Sequence, residues 1–339
     1  ELCSIVELMY SYEILFSITG NTEWLDRLEL LAYNSLPATL SPDMWTHQYD
    51  QMVNQAAAFP MSKQPFRTNN NEAHLFGLEP HFGCCTANFG QGFPKFALST
   101  FLKAENGIAS CALAPSFVES AINGVGVKCS LATEYPFRGK LKYTVEVESS
   151  VEFDFLIRIP SFAKSARVDG TEVKCGEFAK ISKTWAGKTD IEVCLDFETE
   201  IVKRPHDMAC VRRGPLFYSI PIKEKRERVE YIKDGVERKY PYCDYYIYPE
   251  SKWNYAFASD KFEFEELPYN VPFNPENPPA AIEAEAVGIE WGFNCGHCDR
   301  LPASREPISD VQRIRLIPYG CTNLRMTEIP LLQNCLQID

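Results

Sequence analysis

Two adjacent cysteines, Cys84 and Cys85, are the residues of this chain best suited to metal chemistry. A disulfide between neighbours would close a strained ring, so we expect both thiols to be free and able to face one metal ion. Glu1 and Cys3 lie two residues apart, a spacing that suits an extended segment entering a helix, where alternate side chains share a side. Three thiolates and one carboxylate form a ligand set that suits Zn²⁺. The alternative is that these cysteines are ordinary buried apolar residues.

A second pair, Cys295 and Cys298, has the C-x-x-C spacing of redox and zinc sites. A zinc site there needs further ligands, and the neighbouring sequence offers His297 and Asp299. No strand–helix–strand pattern supports a thioredoxin-like site. A redox pair and a loop with two nearby cysteines therefore both remain open. The other cysteines are predicted to be packing residues: Cys111, Cys129, Cys175, Cys194, Cys210, Cys243, Cys321 and Cys335.

The polar segment from Leu40 to His81 carries side chains typical of a sugar site, and a structureless loop of this length is usually functional. We predict that His47, Gln48 and Asp50 bind substrate, because planar polar groups and aromatic faces suit hydroxyl-rich ligands. The alternative is that such residues cap a long loop. Further candidates are Trp45, Tyr49, Gln55, His74, His81 and Phe82, with Asp43, Asp50, Glu72 and Glu79 as carboxylates for acid–base work.

The elements that must position these residues change character near residue 104. Before it, apolar side chains recur every three or four residues, which predicts helices. A first helix stops at Gly20, a second covers 23–35 before Pro37, and a third follows Cys85 and extends to Phe101.

Beyond residue 104 the apolar period becomes two, which is typical of half-buried antiparallel strands. Asp169-Gly170 and Asp234-Gly235 predict hairpin turns, and 211–220 predicts a strand. We therefore predict a helical domain over 1–103, a β-sandwich over 104–205, and a second sandwich with a C-terminal tail over 206–339.

Composition narrows the classes of partner. The chain is acidic, with a formal net charge of −12, so it repels phosphate backbones and we expect no nucleic-acid partner. The longest apolar run is shorter than a bilayer span, so no membrane partner is expected. Thirteen cysteines, with no signal-peptide pattern and no N-x-Ser/Thr sequon, favour a reducing cytoplasmic location.

Several longer motifs accompany the candidate residues: E-L-C (1–3), Y-N-S-L-P-A (33–38), W-T-H-Q-Y-D-Q (45–51), G-C-C-T-A-N (83–88), Q-G-F-P-K (91–95), R-G-P-L-F-Y (213–218) and I-P-Y-G-C-T (317–322). Together they resemble the β-L-arabinofuranosidase family, glycoside hydrolase family 127, and its relatives. The resemblance implies an α+β multidomain fold, the C-terminal part of an (α/α)₆ toroid followed by two antiparallel β-sandwich domains.

The same resemblance implies a site. Glu1, Cys3, Cys84 and Cys85 would hold one Zn²⁺, and Cys84 would be the nucleophile of a retaining glycoside hydrolase that acts on L-arabinofuranosyl or related plant glycans. The family's general acid/base glutamate lies upstream of the Glu-x-Cys motif. We therefore expect the C-terminal portion of an enzyme, with the missing N-terminal half or a homodimer partner completing it. The alternative function is a non-catalytic, zinc-stapled carbohydrate-binding protein of the same architecture.

Overall fold

Three α-helices lie in the first hundred residues of the computed structural model, which describes residues 1–67, 69–78 and 82–332. They are α1 (Leu2–Thr19), α2 (Glu23–Leu30) and α3 (Gly83–Leu98). A π-helical turn (Leu31–Ser35) extends α2, and 3₁₀ turns cover Pro37–Thr39, Pro205–Asp207 and Tyr319–Cys321. Glu79, His81 and Cys335 lie outside the described residues.

The predicted end of the first helix is confirmed, and the predicted end of the third helix is wrong. Gly20 adopts a left-handed φ of 67°, and its amide donates to the Phe16 carbonyl, which ends α1 as predicted. The third helix does not reach Phe101, because Phe101 begins a strand. The Asn106-Gly107 turn folds that strand back onto the next one. Phe101 therefore pairs with Ser110 in a sheet, although its spacing from the preceding apolar residues suits a helix.

α1 is the one helix in the described ranges whose length and mean hydropathy would allow it to cross a membrane. Core helices of globular proteins meet the same two criteria, so this observation carries little weight. Leu2, Val6 and Met9 are buried, and α1 packs against α2 and α3.

The segment between α2 and α3 is not structureless, contrary to the sequence prediction. It contains three short strands, β1 (His47–Gln48), β2 (Asn54–Gln55) and β3 (Phe76–Gly77). β1 pairs with β3, whereas β3 also pairs with residues 244–245 and β2 pairs with residues 325–326. No local sequence pattern predicts pairings with such distant partners.

The middle part of the chain forms one eight-stranded sheet. Its strands are β4 (Phe101–Ala104), β5 (Gly107–Ser110), β6 (Ser116–Ile122), β7 (Val125–Thr133), β8 (Lys140–Arg158), β9 (Ser165–Val168), β10 (Thr171–Val173) and β11 (Phe178–Asp196). The order is β10-β9-β11-β8-β5-β4, and β7 pairs with both β6 and β8. The predicted alternation is confirmed, with Leu141, Tyr143 and Val145 buried along β8.

One pairing departs from the antiparallel prediction. β5 runs parallel to β8, with Ile108 opposite Phe155, because the β6–β7 hairpin intervenes and returns the chain in the same direction. The hairpin predicted at Asp169-Gly170 is present between β9 and β10.

The last third of the chain is also β-rich. Its strands are β12 (Thr199–Arg204), β13 (Met208–Arg213), β14 (Leu216–Pro221), β15 (Glu224–Val229), β16 (Tyr231–Lys233), β17 (Val236–Arg238), β18 (Asp244–Pro249), β19 (Tyr255–Glu266), β20 (Ala280–Gly288), β21 (Phe293–Asn294), β22 (His297–Cys298), β23 (Gln312–Pro318), β24 (Arg325–Met326) and β25 (Ile329–Pro330). The strand predicted over 211–220 is two strands, because Gly214 turns the chain at a φ of 56°. The hairpin at Asp234-Gly235 is confirmed.

Two sheets in this region recruit the segment between the helices. A nine-stranded sheet has the order β12-β13-β14-β23-β20-β19, and β2 joins it through β24, which pairs with β14. A four-stranded sheet has the order β1-β3-β18-β15. The candidate sugar-binding segment is therefore built into the C-terminal sheets.

A buried ion-pair network joins the helices to the middle sheet. Arg158 at the end of β8 is fully buried and donates to the Asp26 and Glu29 carboxylates of α2. Glu29 also accepts from the Leu113 amide at 2.8 Å and from the Tyr135 hydroxyl. Burying these charges is tolerated because each is paired and hydrogen-bonded.

Candidate metal centre

Three thiols from two helices meet at one point. Cys3 lies in the first turn of α1, and Cys84 and Cys85 lie in the first turn of α3. Their Sγ atoms all lie within 4.8 Å of one another, and those of Cys3 and Cys85 are 3.9 Å apart. The structure thus brings together three of the four ligands expected from the sequence.

Tyr49 and Phe82 hold the two helix starts against each other. The Leu2 amide donates to the Tyr49 carbonyl at 2.8 Å, and the Cys85 amide donates to the Phe82 carbonyl at 3.1 Å. The Tyr49 and Phe82 rings stack with centroids 3.9 Å apart and planes 11° apart. One aromatic pair therefore links the backbone beside Cys3 to the backbone beside Cys85, a role that sequence reasoning did not assign.

The thiol cluster fits a tetrahedral metal. Zn–S bonds of about 2.3 Å in a tetrahedron place the sulfurs about 3.8 Å apart. The Cys3–Cys85 separation of 3.9 Å matches that spacing. Both helices also point their N-termini at the cluster, and their dipoles favour thiolates there.

Protonation of the thiols would be coupled to metal binding. Burial raises the pKa of the Cys85 thiol well above its ordinary value, and the neighbouring Cys3 and Cys84 sulfurs raise it further. Burial also raises the pKa of Cys3, while the Asn88 side chain opposes that shift. A thiol with a raised pKa stays protonated near neutral pH, so a metal that binds Cys3 and Cys85 must displace their protons.

Glu1 lies beside the cluster and not inside it. Its carboxylate is not among the ligand atoms that lie within 4.8 Å of one another. It faces the Tyr49 hydroxyl instead, and after burial it is the main cause that raises the pKa of that phenol. A rotation of this exposed side chain would be needed for it to join the thiols.

Of the three predicted sugar-binding residues, His47 contacts α3, the helix that carries Cys84 and Cys85. Its ring is parallel to that of Phe89 on α3, at 6.2 Å and 10°. Its Nε2 atom is 3.5 Å from the hydroxyl of Thr86, the residue after Cys85. Both contacts place the imidazole against the helix that carries Cys84 and Cys85.

Gln48 and Asp50 are engaged with protein groups. Gln48 is fully buried, and its amide exchanges hydrogen bonds of 3.0 and 3.3 Å with that of Gln55. Asp50 is buried and accepts a 2.6 Å hydrogen bond from Asn69. Burial raises the pKa of the Asp50 carboxyl.

The neighbouring Gln51 fastens this segment at two ends. Its Nε2 atom donates to the Ser35 carbonyl at 2.8 Å. Its Oε1 atom accepts from the Tyr319 hydroxyl at 2.6 Å and from Arg325 Nη2 at 3.2 Å. The C-terminal part of the chain therefore anchors the segment that carries His47 and Tyr49.

The C-x-x-C segment forms a tight β21–β22 hairpin. Cys298 is buried, and its thiol donates to the Asn54 carbonyl at 3.5 Å, whereas Cys295 is exposed at the turn. Burial raises the pKa of Cys298 to about 12. Across the described residues, the group of Cys3, Cys84 and Cys85 is the one set of three or more His, Cys, Asp or Glu ligands that converges. The hairpin therefore gains no support as a zinc site.

Two models of one protein family match the chain. The family model of the GH127 β-L-arabinofuranosidase catalytic domain matches residues 1–98, and that of the GH127 middle domain matches residues 111–197. No curated protein sequence matches the chain.

Solved structures share the fold. A GH127 β-L-arabinofuranosidase from Geobacillus stearothermophilus T6 is 18% identical with a TM-score of 0.65, and it aligns over 98% of this chain and 50% of its own. A protein described as a glycoside hydrolase is 16% identical with a TM-score of 0.62, over 98% of this chain and 52% of its own. A GH127 β-arabinofuranosidase is 15% identical with a TM-score of 0.62, over 99% of this chain and 50% of its own. The chain thus spans about half the length of these solved relatives.

The chain is mostly β with few helices, and its fold is similar to that of these solved glycoside hydrolases. The two family models cover more than half of its residues, and the chain belongs to the GH127 β-L-arabinofuranosidase family.

Proposed function

We propose that this chain carries the zinc-thiolate centre of a retaining glycoside hydrolase that cleaves L-arabinofuranosyl or related plant glycans. The observation that carries the proposal is the unequal exposure of the three thiols. Cys84 is exposed, Cys3 is half-buried and Cys85 is buried. Cys84 is therefore the sulfur of the cluster that is open to a substrate.

Cys3, Cys84 and Cys85 would hold Zn²⁺, with the Glu1 carboxylate as the fourth ligand. When bound, the metal keeps the thiols deprotonated near neutral pH. Cys3 and Cys85 then act as fixed supports, because each sits in a helix turn that the Tyr49–Phe82 stack holds in place.

The proposed reaction is a double displacement. The Cys84 thiolate attacks the anomeric carbon, a C–S bond forms, and the glycosidic C–O bond breaks as the leaving oxygen takes a proton from a carboxylic acid on the opposite face of the sugar. Water, deprotonated by the same carboxylate, then releases the sugar from sulfur with net retention. The family resemblance gives the acid/base role to a glutamate that is not among these 339 residues.

The architecture of the whole enzyme is part of the proposal. We propose that α1 to α3 belong to an (α/α)₆ toroid and that the two β regions are sandwich domains. Leu8, Ile14 and Ile18 leave an apolar stripe of α1 exposed, and Ile18 is 75% exposed. Because the chain spans about half of its solved relatives, the remaining helices of such a catalytic domain are the occupant that we propose for this face.

We propose a cytoplasmic location because the cysteines are free thiols. In the described part of the chain, twelve cysteines are free thiols. A zinc-thiolate centre with an exposed sulfur is best preserved where glutathione and thioredoxin keep thiols reduced, which supports the cytoplasm.

A substitution of Cys84 tests the function. Hydrolysis of p-nitrophenyl β-L-arabinofuranoside is measured for the chain alone and with the remaining part of the catalytic domain, with Cys84→Ser against the exposed Cys295→Ser as a matched control. We expect hydrolysis in the completed enzyme, its loss in Cys84→Ser, and no change in Cys295→Ser. Retained hydrolysis in Cys84→Ser would remove the nucleophile assignment.

The second candidate is a non-catalytic carbohydrate-binding protein in which zinc is a structural staple. The position of Cys85 favours this second candidate. Cys85 is buried and its amide is hydrogen-bonded to the Phe82 carbonyl, as expected for a cysteine whose metal ion stabilises the fold. That alternative predicts no hydrolysis even in the completed enzyme, and a fold that melts early when zinc is removed.

A further inference from the structure

An exposed aromatic patch lies two residues before His47, at the edge of the sheet that carries the proposed substrate-binding segment. We define this aromatic patch as Met44, Trp45, Tyr240 and Tyr242. Trp45 is 47% exposed, Tyr240 63% and Tyr242 60%. Large aromatic side chains clustered on a surface indicate a binding site more often than a packing need.

The loop that presents Trp45 is closed by several internal hydrogen bonds. The Ser41 amide donates to the Thr46 carbonyl at 2.9 Å, and the Thr46 amide donates to the Ser41 hydroxyl at 2.9 Å. The Asp43 carboxylate accepts from the Ser41 hydroxyl at 2.6 Å and from the Trp45 amide at 3.0 Å. Met44 is held at a left-handed φ of 59°. Such a loop holds Trp45 toward solvent before any ligand arrives.

The second loop of the patch is tied to the first. The Trp45 Nε1 atom donates to the Pro241 carbonyl at 3.4 Å. The Tyr242 amide donates to the Lys239 carbonyl at 2.7 Å, and the Arg228 guanidinium lies 5.5 Å from the Tyr240 ring centre. The three rings therefore come from two segments that are nearly two hundred residues apart and that the Trp45–Pro241 hydrogen bond joins.

Sheet pairing connects the patch to the proposed site. β1 carries His47 and pairs with β3, and β3 pairs with β18, which begins two residues after Tyr242. An isolated bridge between Leu40 and His47 closes the Trp45 loop at its base. The patch thus flanks the strand whose His47 lies against the helix of Cys84 and Cys85.

The chemistry of the patch points to a sugar. Trp and Tyr offer apolar faces on which the C–H face of a furanose ring can lie, and each keeps a polar atom at its edge for a hydroxyl group. The adjoining Arg228 and Lys239 are cations with donors for hydroxyl or ring oxygens.

We propose that the aromatic patch binds further sugar units of an oligosaccharide whose terminal residue occupies the thiol centre. The occupant is a pentofuranosyl chain and not a single sugar, because the patch lies beside the proposed site and outside the thiol cluster. This inference rests on the proposed function, which it extends from one sugar to a chain.

The test is calorimetric titration of the 339-residue chain in a Cys84→Ser background, which prevents turnover. The probes are methyl β-L-arabinofuranoside and a tetraose of β-linked L-arabinofuranosyl units. We expect the tetraose to bind more tightly than the methyl glycoside. We also expect Trp45→Ala and Tyr242→Ala each to weaken tetraose binding about three- to tenfold while binding of the methyl glycoside stays the same. Phe117→Ala, at a similarly exposed ring on β6, is the matched control and should change neither.

Trp45→Tyr guards against misfolding, because it keeps an aromatic face and should keep most of the tetraose affinity. Equal binding of the tetraose by parent, Trp45→Ala and Tyr242→Ala would overturn the proposal. A change in sedimentation of the unliganded Trp45→Ala variant, with tetraose binding intact, would overturn it in favour of a protein interface.

Hydrolysis of p-nitrophenyl β-L-arabinofuranoside separates this proposal from the function on which it rests. That substrate has one sugar unit, so it reports on the thiol centre and not on the patch. Loss of patch binding with normal hydrolysis overturns only the inference. Absent hydrolysis in the completed enzyme, with tetraose binding intact at the patch, overturns only the proposed function.

Discussion

The Sγ atoms of Cys3 and Cys85 lie 3.9 Å apart although 82 residues separate them in the chain. Each sits in the first turn of a helix, and the two turns are held by the Tyr49–Phe82 stack. The proximity therefore depends on the segment between the helices as much as on the helices. Changes to that segment should act on the metal site without touching a sulfur.

Tyr49 gives the first prediction. Tyr49→Phe keeps the ring stack and removes the hydroxyl that faces Glu1, whereas Tyr49→Ala removes both. We expect a chelator to strip zinc about tenfold faster from Tyr49→Ala than from the parent, because outer-shell partners orient the ligands. Tyr49→Phe should lie between them, and Phe117→Ala, at an exposed ring on β6, should match the parent. Equal rates for Tyr49→Ala and Phe117→Ala would show that the stack does not position the thiols.

The second prediction concerns the buried ion pairs of Arg158 with Asp26 and Glu29. Glu29→Gln leaves the guanidinium with one buried carboxylate, and removing a partner from a buried ion pair costs about 3–5 kcal/mol. Urea unfolding should show that loss of stability at pH 7. The exposed Lys128–Glu119 pair, at 2.7 Å on the middle sheet, is the control, and Lys128→Ala should leave the unfolding midpoint where it is. A midpoint for Glu29→Gln equal to that of the parent would mean that the network does not hold α2 to the sheet.

His74 gives a pH-dependent prediction. The ring is fully buried, and burial lowers its pKa to about 4, although a hydrogen bond with the Phe59 backbone opposes the shift. The unfolded chain binds this proton at a pKa of about 6.5, so it takes up more protons than the folded chain between those two values. The stability that His74 contributes is therefore complete above pH 6.5 and is lost as the pH falls towards 4.

Unfolding of the parent and of His74→Leu at pH 7 and pH 5 measures this effect. The parent should lose about 2 kcal/mol more than the variant over that interval. Parallel losses in the two proteins would show that His74 does not titrate with a lowered pKa.

Capping signals predicted the end of α1 at Gly20 correctly. The positions of the cysteines differ from the prediction, which put Cys3 in an extended segment and began the third helix after Cys85. All three cysteines lie in the first turns of α1 and α3. Whether Glu1 completes the ligand set stays a prediction, since its carboxylate faces Tyr49 in this structure.

The segment between the helices could not be predicted in the same way. Gln55 pairs with Arg325, and Phe76 pairs with Tyr245, so these strands exist only through partners far along the chain. Gln48 reads as a ligand-binding residue in sequence, yet it is fully buried against Gln55. Period and composition carry no information about such pairings, because the strands are two residues long.

The zinc content of the chain purified without chelators tests the central claim most directly. The account predicts about one zinc ion per chain in the parent and in Cys295→Ser, and a loss of most of that zinc in Cys85→Ser. Less than about half an equivalent in the parent, or equal zinc in Cys85→Ser and Cys295→Ser, would contradict it.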